Sequence, residues 1–242
     1  MSDTNALEFY FFPSPNGLKI SIMLEECGLP YEVKPVDIGR GEQFRPEYLA
    51  INPNNKIPSI VDRDTDTVVF ESGAILIYLA EKSGRFLATD PHARMQTLSW
   101  LFWQVGGLGP MAGQAHHFRA FAEEEVPYAI RRYTDECNRL YGVMERQLND
   151  QEYLAGEYSI ADIACWPWVV PHERQGQDLE NFPNVRRWFE TIGARPGVRA
   201  GFALGHEVQM DREGYRFLYG QTAAMVNEQT DRLSGNDTEP TP

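Results

Sequence analysis

Phe70-Glu71-Ser72-Gly73-Ala74-Ile75-Leu76-Ile77-Tyr78-Leu79 decides the reading of this chain, together with Asn55-Lys56-Ile57-Pro58-Ser59-Ile60-Val61 a hairpin upstream. An acid and a hydroxyl open an apolar helix directly after two short strands, and an Ile-Pro bond starts the first of those strands. X-Pro bonds adopt cis cheaply, and a fixed cis turn leaves the preceding N–H and C=O free for a ligand, so Ile57-Pro58 is a candidate cis peptide. Ser72 then offers its hydroxyl and the first helical N–H groups to a carboxylate, and Glu71 takes an ammonium. These groups together fit an amino-acid-like ligand held by its backbone.

Outward from this stretch, Leu7 to Phe12 is an apolar and aromatic strand apart from Glu8. Pro13-Ser14-Pro15-Asn16-Gly17 breaks it, and Leu18 to Cys27 reads as a helix ended by Gly28. Further strands are expected at Tyr31 to Ile38, Ile57 to Val61 and Val68 to Phe70, with Asp62-Arg63-Asp64-Thr65-Asp66 as a polar hairpin connection and Ser72 to Lys82 as the closing helix. The order βαβ…ββα is that of a thioredoxin-like half. From Pro91 to Ala203 the chain has helical periodicity and holds Trp100, Trp103, Trp166, Trp168 and Trp188, which predicts an all-α half. Within it Ser159-Ile160-Ala161-Asp162 is a capping box in its Asp form, and Pro127 fits a first helical position. The fold class expected is therefore α/β plus all-α, with a thioredoxin-like domain over 1–86, a helical domain over 91–205 and an extension over 206–242. In that extension Tyr215 to Tyr219 has the composition to pack on the body, whereas Ser234 to Pro242 reads as disordered. No internal repeat is present.

With 242 residues, 42% apolar and 12% aromatic, the chain can bury a substantial core. No apolar run has the length of a membrane span, and Met1-Ser2-Asp3-Thr4-Asn5 lacks the basic-then-apolar order of a signal peptide, so a cytoplasmic protein is expected. The formal net charge of -13 argues against sequence-independent binding to nucleic acid or anionic membrane. Cys27, Cys137 and Cys165 are odd in number and form no C-x-x-C pair, so they read as reduced thiols rather than a disulfide framework or zinc ribbon. His116-His117 does not make a metal site, because adjacent helical residues point about 100° apart and no carboxylate or Cys falls at ligand spacing. Gly106-Gly107-Leu108-Gly109 lacks the Lys-Ser/Thr and the preceding strand of a phosphate loop and reads as close helix packing or a kink.

A thioredoxin-like half with Ile57-Pro58 and Glu71-Ser72-Gly73, followed by an all-α half with Ser159-Ile160-Ala161-Asp162, resembles a cytosolic glutathione transferase over residues 7 to 203. Within that superfamily four runs are similar to the bacterial nu class, which is related to the yeast nitrogen-regulating prion protein. They are 13–17, Gln43-Phe44-Arg45-Pro46, 52–58 and Trp103-Gln104-Val105-Gly106-Gly107-Leu108-Gly109-Pro110-Met111. The resemblance implies a homodimer binding glutathione, with glutathione-dependent disulfide reductase activity and generally weak conjugation, and a site able to hold two glutathiones or one glutathione disulfide. Carried over by position, Asn16, Gln43, Ile57, Glu71 and Ser72 contact the tripeptide and Arg132 reaches across from the partner subunit. The nu pattern usually has Thr where this chain has Ser14, and the hydroxyl is kept.

The position after the first strand decides the mechanism, since a side chain there lies over a helix N-terminus, where a thiolate is favoured. It is Ser14, not Cys, so the nucleophile expected is the thiol of bound glutathione, with Ser14 and Asn16 as catalytic hydrogen-bond donors to its sulfur. Gln43, Lys56, Ile57, Pro58, Glu71, Ser72 and Arg132 form the expected binding set, and Lys56, the Ser72 helix start and Arg131-Arg132 offset the ligand's negative charge. On the residues alone other readings stand: Ser14 and Asn16 as a turn and helix cap, Ile57-Pro58 as a trans strand start, Glu71 and Arg131-Arg132 as solvated charges, and Gln43 as a loop amide. Their joint occurrence in this order favours the functional reading. Partners expected are glutathione with a small disulfide or an electrophile, and a second copy of the chain. Conjugation to electrophiles, hydroperoxide reduction, and a catalytically quiet glutathione-binding regulator remain as alternatives.

Overall fold

The computed structural model describes residues 6–205, 221–224 and 226–227. The described residues group into two compact units, one drawn from 1–17, 30–75 and 205–242 and the other from 18–29 and 76–204. The expectations for Tyr215 to Tyr219 and Ser234 to Pro242 lie outside the described residues.

In the first unit, β1 (Leu7–Phe11), β2 (Tyr31–Pro35), β3 (Ser59–Asp62) and β4 (Thr67–Phe70) form a mixed sheet in the order β2-β1-β3-β4. β1 runs parallel to β2 and antiparallel to β3, and β3 pairs antiparallel with β4. Phe9 lies opposite both Val33 and Ile60, and Ile60 opposite Val69, so the apolar residues fall in cross-strand register. The polar connection between β3 and β4 is an Asx turn in which Asp64 N–H donates to Asp62 Oδ1 at 3.0 Å.

Two strand limits differ from the sequence reading by more than one residue. β2 stops at Pro35 rather than Ile38, because Asp37 accepts from Gly39 N–H at 3.0 Å and turns the chain into a 3-10 turn over Ile38–Arg40. Ile38 is apolar because it packs with Phe12, Val36 and Tyr48. β3 begins at Ser59 rather than Ile57, since Pro58 has no N–H for the ladder. A second 3-10 turn (Glu42–Phe44) and α2 (Pro46–Leu49) lie between β2 and β3.

Helix α1 (Pro15–Cys27) starts earlier than the apolar periodicity indicates, since Pro15 takes the first helical position behind Ser14. It ends where Gly28 turns left-handed at φ 65° and Leu29 N–H returns to Leu24 C=O at 3.1 Å. Helix α3 (Ser72–Ser83) ends in the same way at Gly84, φ 67°.

The helical unit holds α4 (Pro91–Trp103), α5 (Gly109–His116), α6 (Pro127–Gln147), α7 (Ile160–Val169), α8 (Pro183–Gly193) and α9 (Pro196–Ala203). The expected capping box at α7 is present, and Pro127 opens α6. Gly106 and Gly107 lie in a π-turn over Gln104–Leu108 that joins α4 to α5, and Gly109 is the first residue of α5. The residues 18–27 of α1 pack closely on α9: Ser21 Oγ donates to Gly201 C=O at 2.8 Å, and a Cβ at Gly201 would stand 2.5 Å from Ile22 Cα. Arg195 Nε and Nη2 pair with Glu26 at 2.8 and 2.9 Å, closing the same seam.

α8 has Pro183 at its start and no capping side chain of its own. Glu145 of α6 fills that role, accepting from Asn184 N–H at 3.0 Å, Val185 N–H at 3.1 Å and Asn184 Nδ2 at 2.7 Å. A carboxylate on orphan helix N–H groups makes charge-assisted bonds and faces the positive end of the dipole. Glu145→Ala is expected to destabilise the protein by about 2 kcal/mol, read as a lowered urea midpoint; an unchanged midpoint would remove this role.

Candidate active site

Strand register brings the site segments to one end of the sheet. Tyr10 of β1 lies opposite Ser59 of β3, Ser59 opposite Phe70 of β4, and Phe11 opposite Pro35 of β2. The turn bearing Ser14 therefore leaves the sheet at the end where Pro58 enters it, where Glu71 leaves it, and where β2 runs on toward Gln43. Eight of the expected residues, Ser14, Asn16, Gln43, Lys56, Ile57, Pro58, Glu71 and Ser72, are on the first unit. Arg132 is exposed on α6 of the second unit.

After β1 the chain turns sharply, with Ser14 N–H donating to Phe12 C=O at 2.7 Å. Ser14 Oγ then accepts from Gly17 N–H at 3.2 Å, so it caps α1. Capping uses the oxygen as an acceptor and leaves the hydroxyl proton to donate to an anion. The cap and the thiol contact are thus compatible roles of one side chain. Gly17 has a steric reason, since a Cβ there would stand 2.2 Å from Phe12 C=O. Ser14 and Asn16 are both partly exposed, Ser14 just before the helix and Asn16 within its first turn.

At the other helix start, Glu71 is left-handed at φ 71° and its C=O accepts from Ile75 N–H at 2.9 Å. That conformation costs a non-glycine residue about 1 kcal/mol or more, and such strain gathers at ligand-binding positions. Ser72 is buried in the first turn, while Glu71 is exposed, with its carboxylate 3.4 Å from Asn54 Nδ2.

Ile57-Pro58 is cis, as the sequence indicates. The loop before it is held by two residues the sequence reading did not single out. Tyr48 OH and Asn52 Nδ2 each donate to Lys56 C=O at 2.6 Å, and both also meet Ser59 Oγ at 3.1 Å. Asn52 Oδ1 accepts from Asn54 N–H at 2.9 Å. Burial pushes the Tyr48 phenol up to about 12, so it stays a donor throughout the neutral range. Asn52 opens an Asn-Pro-Asn-Asn run with visible turn chemistry, whereas Tyr48 has no local signature and acts through packing.

Lys56 is exposed by its overall surface, yet desolvation around its ammonium lowers its pKa. It makes no ion pair among the described residues, so an anionic ligand would gain a full partner there. Gln43 is buried, its Nε2 donating to Ile38 C=O at 3.3 Å. Its Oε1 is buried with no partner among the described residues, an acceptor left over for a ligand N–H. Gly205 and, within the extension, Gln221 each touch the rest of this unit. A Cβ at Gly205 would stand 3.1 Å from Pro13 Cβ, and Asn55 Nδ2 donates to Gln221 Oε1 at 3.3 Å.

The three cysteines are free, and none is poised as a nucleophile. Burial pushes Cys137 up to about 12 and raises Cys165 well above the usual thiol range. Cys27 is raised by desolvation and stands at the C-terminal end of α1, where the dipole opposes a thiolate. Among the described residues no group of His, Cys, Asp and Glu could hold a metal ion, and burial lowers His116 to about 4.

Residues 13–82 match the family model for the glutathione S-transferase N-terminal domain, and residues 109–196 match that for the C-terminal domain. The chain is 55% identical over 198 residues to the disulfide-bond oxidoreductase YfcG of Escherichia coli (strain K12), covering 79% of this chain and 92% of that protein. Among solved structures it is similar to a glutathione transferase of Pseudomonas putida with one glutathione disulfide bound per subunit. There the TM-score is 0.79 at 43% identity, covering 84% of this chain and 94% of that one. A glutathione transferase of Burkholderia graminis with two glutathione molecules per subunit gives a TM-score of 0.80 at 41% identity, over 86% and 92% of the two chains. With a four-stranded mixed sheet in one unit, helices in the other and both family domains matched in order, the chain belongs to the glutathione S-transferase family.

Proposed function

We propose that this protein is a glutathione-dependent disulfide-bond reductase whose nucleophile is the thiolate of bound glutathione. The observation that carries the reading is Ser14 at the head of α1: the place that favours a thiolate holds a hydroxyl donor and no protein sulfur. The raised thiols of Cys27, Cys137 and Cys165 support it, as do the relatives, one named a disulfide-bond oxidoreductase and others crystallised with glutathione or its disulfide.

Residues 1–86 act as the glutathione-binding domain, 91–205 as the helical domain and 206–242 as an extension. The ligand's α-carboxylate meets Ser72 and the α3 N-terminus, Glu71 takes its ammonium, and the Ile57 backbone pairs with its peptide. Lys56 supplies charge for the second carboxylate and Gln43 Oε1 accepts a ligand N–H. Arg132 contributes from the partner subunit of a homodimer.

Ser14 and Asn16 donate to the sulfur and hold it as thiolate. That thiolate attacks one sulfur of the substrate disulfide, forming a mixed disulfide and releasing a substrate thiolate, which takes a proton. A second glutathione thiolate attacks the glutathione sulfur of the mixed disulfide, releasing the other substrate thiolate and leaving glutathione disulfide. The two electrons come from the two glutathiones, and holding both in one pocket replaces a protein cysteine by proximity. The reducing cytoplasm is the proposed setting, where glutathione is supplied and free cysteines persist.

The test is glutathione-dependent reduction of a small disulfide by wild type and by a variant with Cys27, Cys137 and Cys165 all changed to Ser. Turnover within about twofold is expected, since Ser replaces thiols that remain protonated near neutral pH. A folded variant that has lost activity assigns the chemistry to a protein thiol and overturns the mechanism. Inactivity of both proteins turns the reading toward conjugation or a binding role.

A further inference from the structure

Ile57 can offer a ligand its backbone N–H, and the groups that aim this donor stand on the far side of its peptide unit. The Lys56-Ile57 peptide is trans, so Lys56 C=O and Ile57 N–H lie in one plane and point in opposite directions. Whatever holds the carbonyl therefore fixes the direction of the amide. The carbonyl is held twice, since Tyr48 OH and Asn52 Nδ2 both donate to it at 2.6 Å. One donor would satisfy it, whereas two fill both lone pairs and hold the peptide plane against rotation. Among the described residues neither the N–H nor the C=O of Ile57 enters a hydrogen bond.

The protons of this cluster can be counted. Tyr48 has one and gives it to Lys56 C=O, so at the 3.1 Å contact the Ser59 hydroxyl donates to the Tyr48 oxygen. Asn52 has two on Nδ2, one for Lys56 C=O and one for Ser59 Oγ, while its Oδ1 accepts from Asn54 N–H at 2.9 Å. Tyr48, Asn52 and Ser59 are all buried, and none of them can turn without leaving a buried polar atom unpaired. The two donors to the carbonyl are tied to each other where α2 ends, Asn52 N–H donating to Tyr48 C=O at 2.8 Å. The Tyr48 ring belongs to the apolar cluster of Phe12, Val36 and Ile38, and the Ile57 side chain packs against that same cluster. Ile57 is thus held by its side chain and, through Lys56, by its peptide plane.

We infer that Tyr48 and Asn52 are positioning residues that aim Ile57 N–H at the main-chain carbonyl of the ligand's cysteinyl residue. The inference rests on the reading of Ile57 as the partner of glutathione's peptide. In that reading the thiol lies at the head of α1 and the γ-glutamyl end at the start of α3, which leaves the cysteinyl main chain for Ile57. Tyr48 and Asn52 act through Lys56 C=O, without contact with the ligand. A donor fixed in advance needs no ordering when the ligand arrives, so its aim is expressed as affinity. The effect is selective, because a ligand without that carbonyl has nothing for the aimed N–H to meet.

The experiment uses the full chain and two ligands of zero net charge that differ in one group. γ-Glutamylcysteinamide has the cysteinyl carbonyl, whereas γ-glutamylcysteamine lacks the carboxamide and is otherwise the same. Their affinities are measured by calorimetric competition with glutathione for wild type, Tyr48→Phe, Asn52→Leu and Ser59→Ala. Tyr48→Phe keeps the ring in its apolar cluster and removes one donor to the carbonyl. Asn52→Leu keeps the approximate volume and removes the other, and its loss of the Asn54 contact acts on both ligands alike. Ser59→Ala removes two bonds of the cluster and leaves both bonds to the carbonyl in place.

Wild type is expected to bind the cysteinamide about fivefold more tightly than the cysteamine. Tyr48→Phe and Asn52→Leu each weaken the cysteinamide by about threefold and leave the cysteamine within about twofold, and Ser59→Ala preserves the wild-type ratio. With glutathione itself the loss in Tyr48→Phe appears as a raised KM at unchanged kcat. General loosening of the loop weakens both ligands together, so equal losses in the folded variants, or no loss, overturn the positioning role alone. A change of ratio in Ser59→Ala as large as theirs overturns it too, by assigning the effect to the cluster as a whole. A wild type that binds the two ligands equally overturns the pairing of Ile57 with the cysteinyl residue, and this inference with it. If either Tyr48→Phe or Asn52→Leu does not fold, the other decides the question.

Discussion

Asn16→Ala is expected to slow glutathione-dependent disulfide reduction by roughly tenfold to a hundredfold while changing glutathione affinity by less than about threefold. Asn16 stands in the first turn of α1 beside Ser14, and the proposed pose brings the ligand's sulfur there rather than its carboxylates. A hydrogen bond to a charged group contributes about 1.5–3 kcal/mol, and the Asn16 bond is made in full only to the thiolate. In the proposed site the affinity of the tripeptide comes from other segments: the Ser72 helix start, the loop held by Tyr48 and Asn52, and Lys56. Comparable losses in rate and affinity would make Asn16 a ligand-positioning residue. Ser14→Ala is a less clean probe, because it also removes the cap on Gly17 N–H.

Much of this arrangement is legible in the sequence because it is written in local chemistry. The Ile57-Pro58 bond, the Glu71-Ser72 helix start, the Asp62 to Asp66 turn and the Ser159-Asp162 box all depend on residues within a few positions of one another. The strand limits at Pro35 and Ser59 are less legible, since an apolar residue such as Ile38 signals burial without saying in which element. Long-range contacts leave no local mark at all. Tyr48 reaches Lys56 C=O across a loop, Gln221 reaches Asn55 from the far end of the chain, and Lys19 meets Gln104 across 85 positions. The glycines of 106–109 look like packing residues, and only the π-turn ties Gly109 to a buried amide. Ser14 shows the limit from the other side, since its cap on Gly17 N–H is visible in the structure whereas the proposed thiol contact is read from chemistry.

Asp162→Ala is expected to produce a loss of stability of about 4 kcal/mol near neutral pH, roughly twice that expected of Glu145→Ala. Its carboxylate is fully buried and accepts four bonds: from Leu154 N–H at 3.0 Å, Trp188 Nε1 at 2.9 Å, Ser159 N–H at 3.0 Å and Ser159 Oγ at 3.1 Å. One side chain thus fixes the start of α7, the preceding loop and the indole of α8, and alanine leaves every one of those donors buried without an acceptor. Burial raises the Asp162 carboxyl to about 6, and the four donors limit the rise. The folded protein therefore holds this proton more tightly than the unfolded chain does. Its contribution to stability is full below the model-peptide carboxylate range, falls as pH rises through about 6, and is level above that. The variant lacks this slope, so the gap between the two proteins widens toward acid by at most about 3 kcal/mol, while acid effects common to both cancel. Urea midpoints of wild type and variant across that window read both quantities. A loss below about 1 kcal/mol at neutral pH would show that the four donors find other acceptors, and a gap independent of pH would show that Asp162 titrates in the folded protein as it does in the unfolded chain.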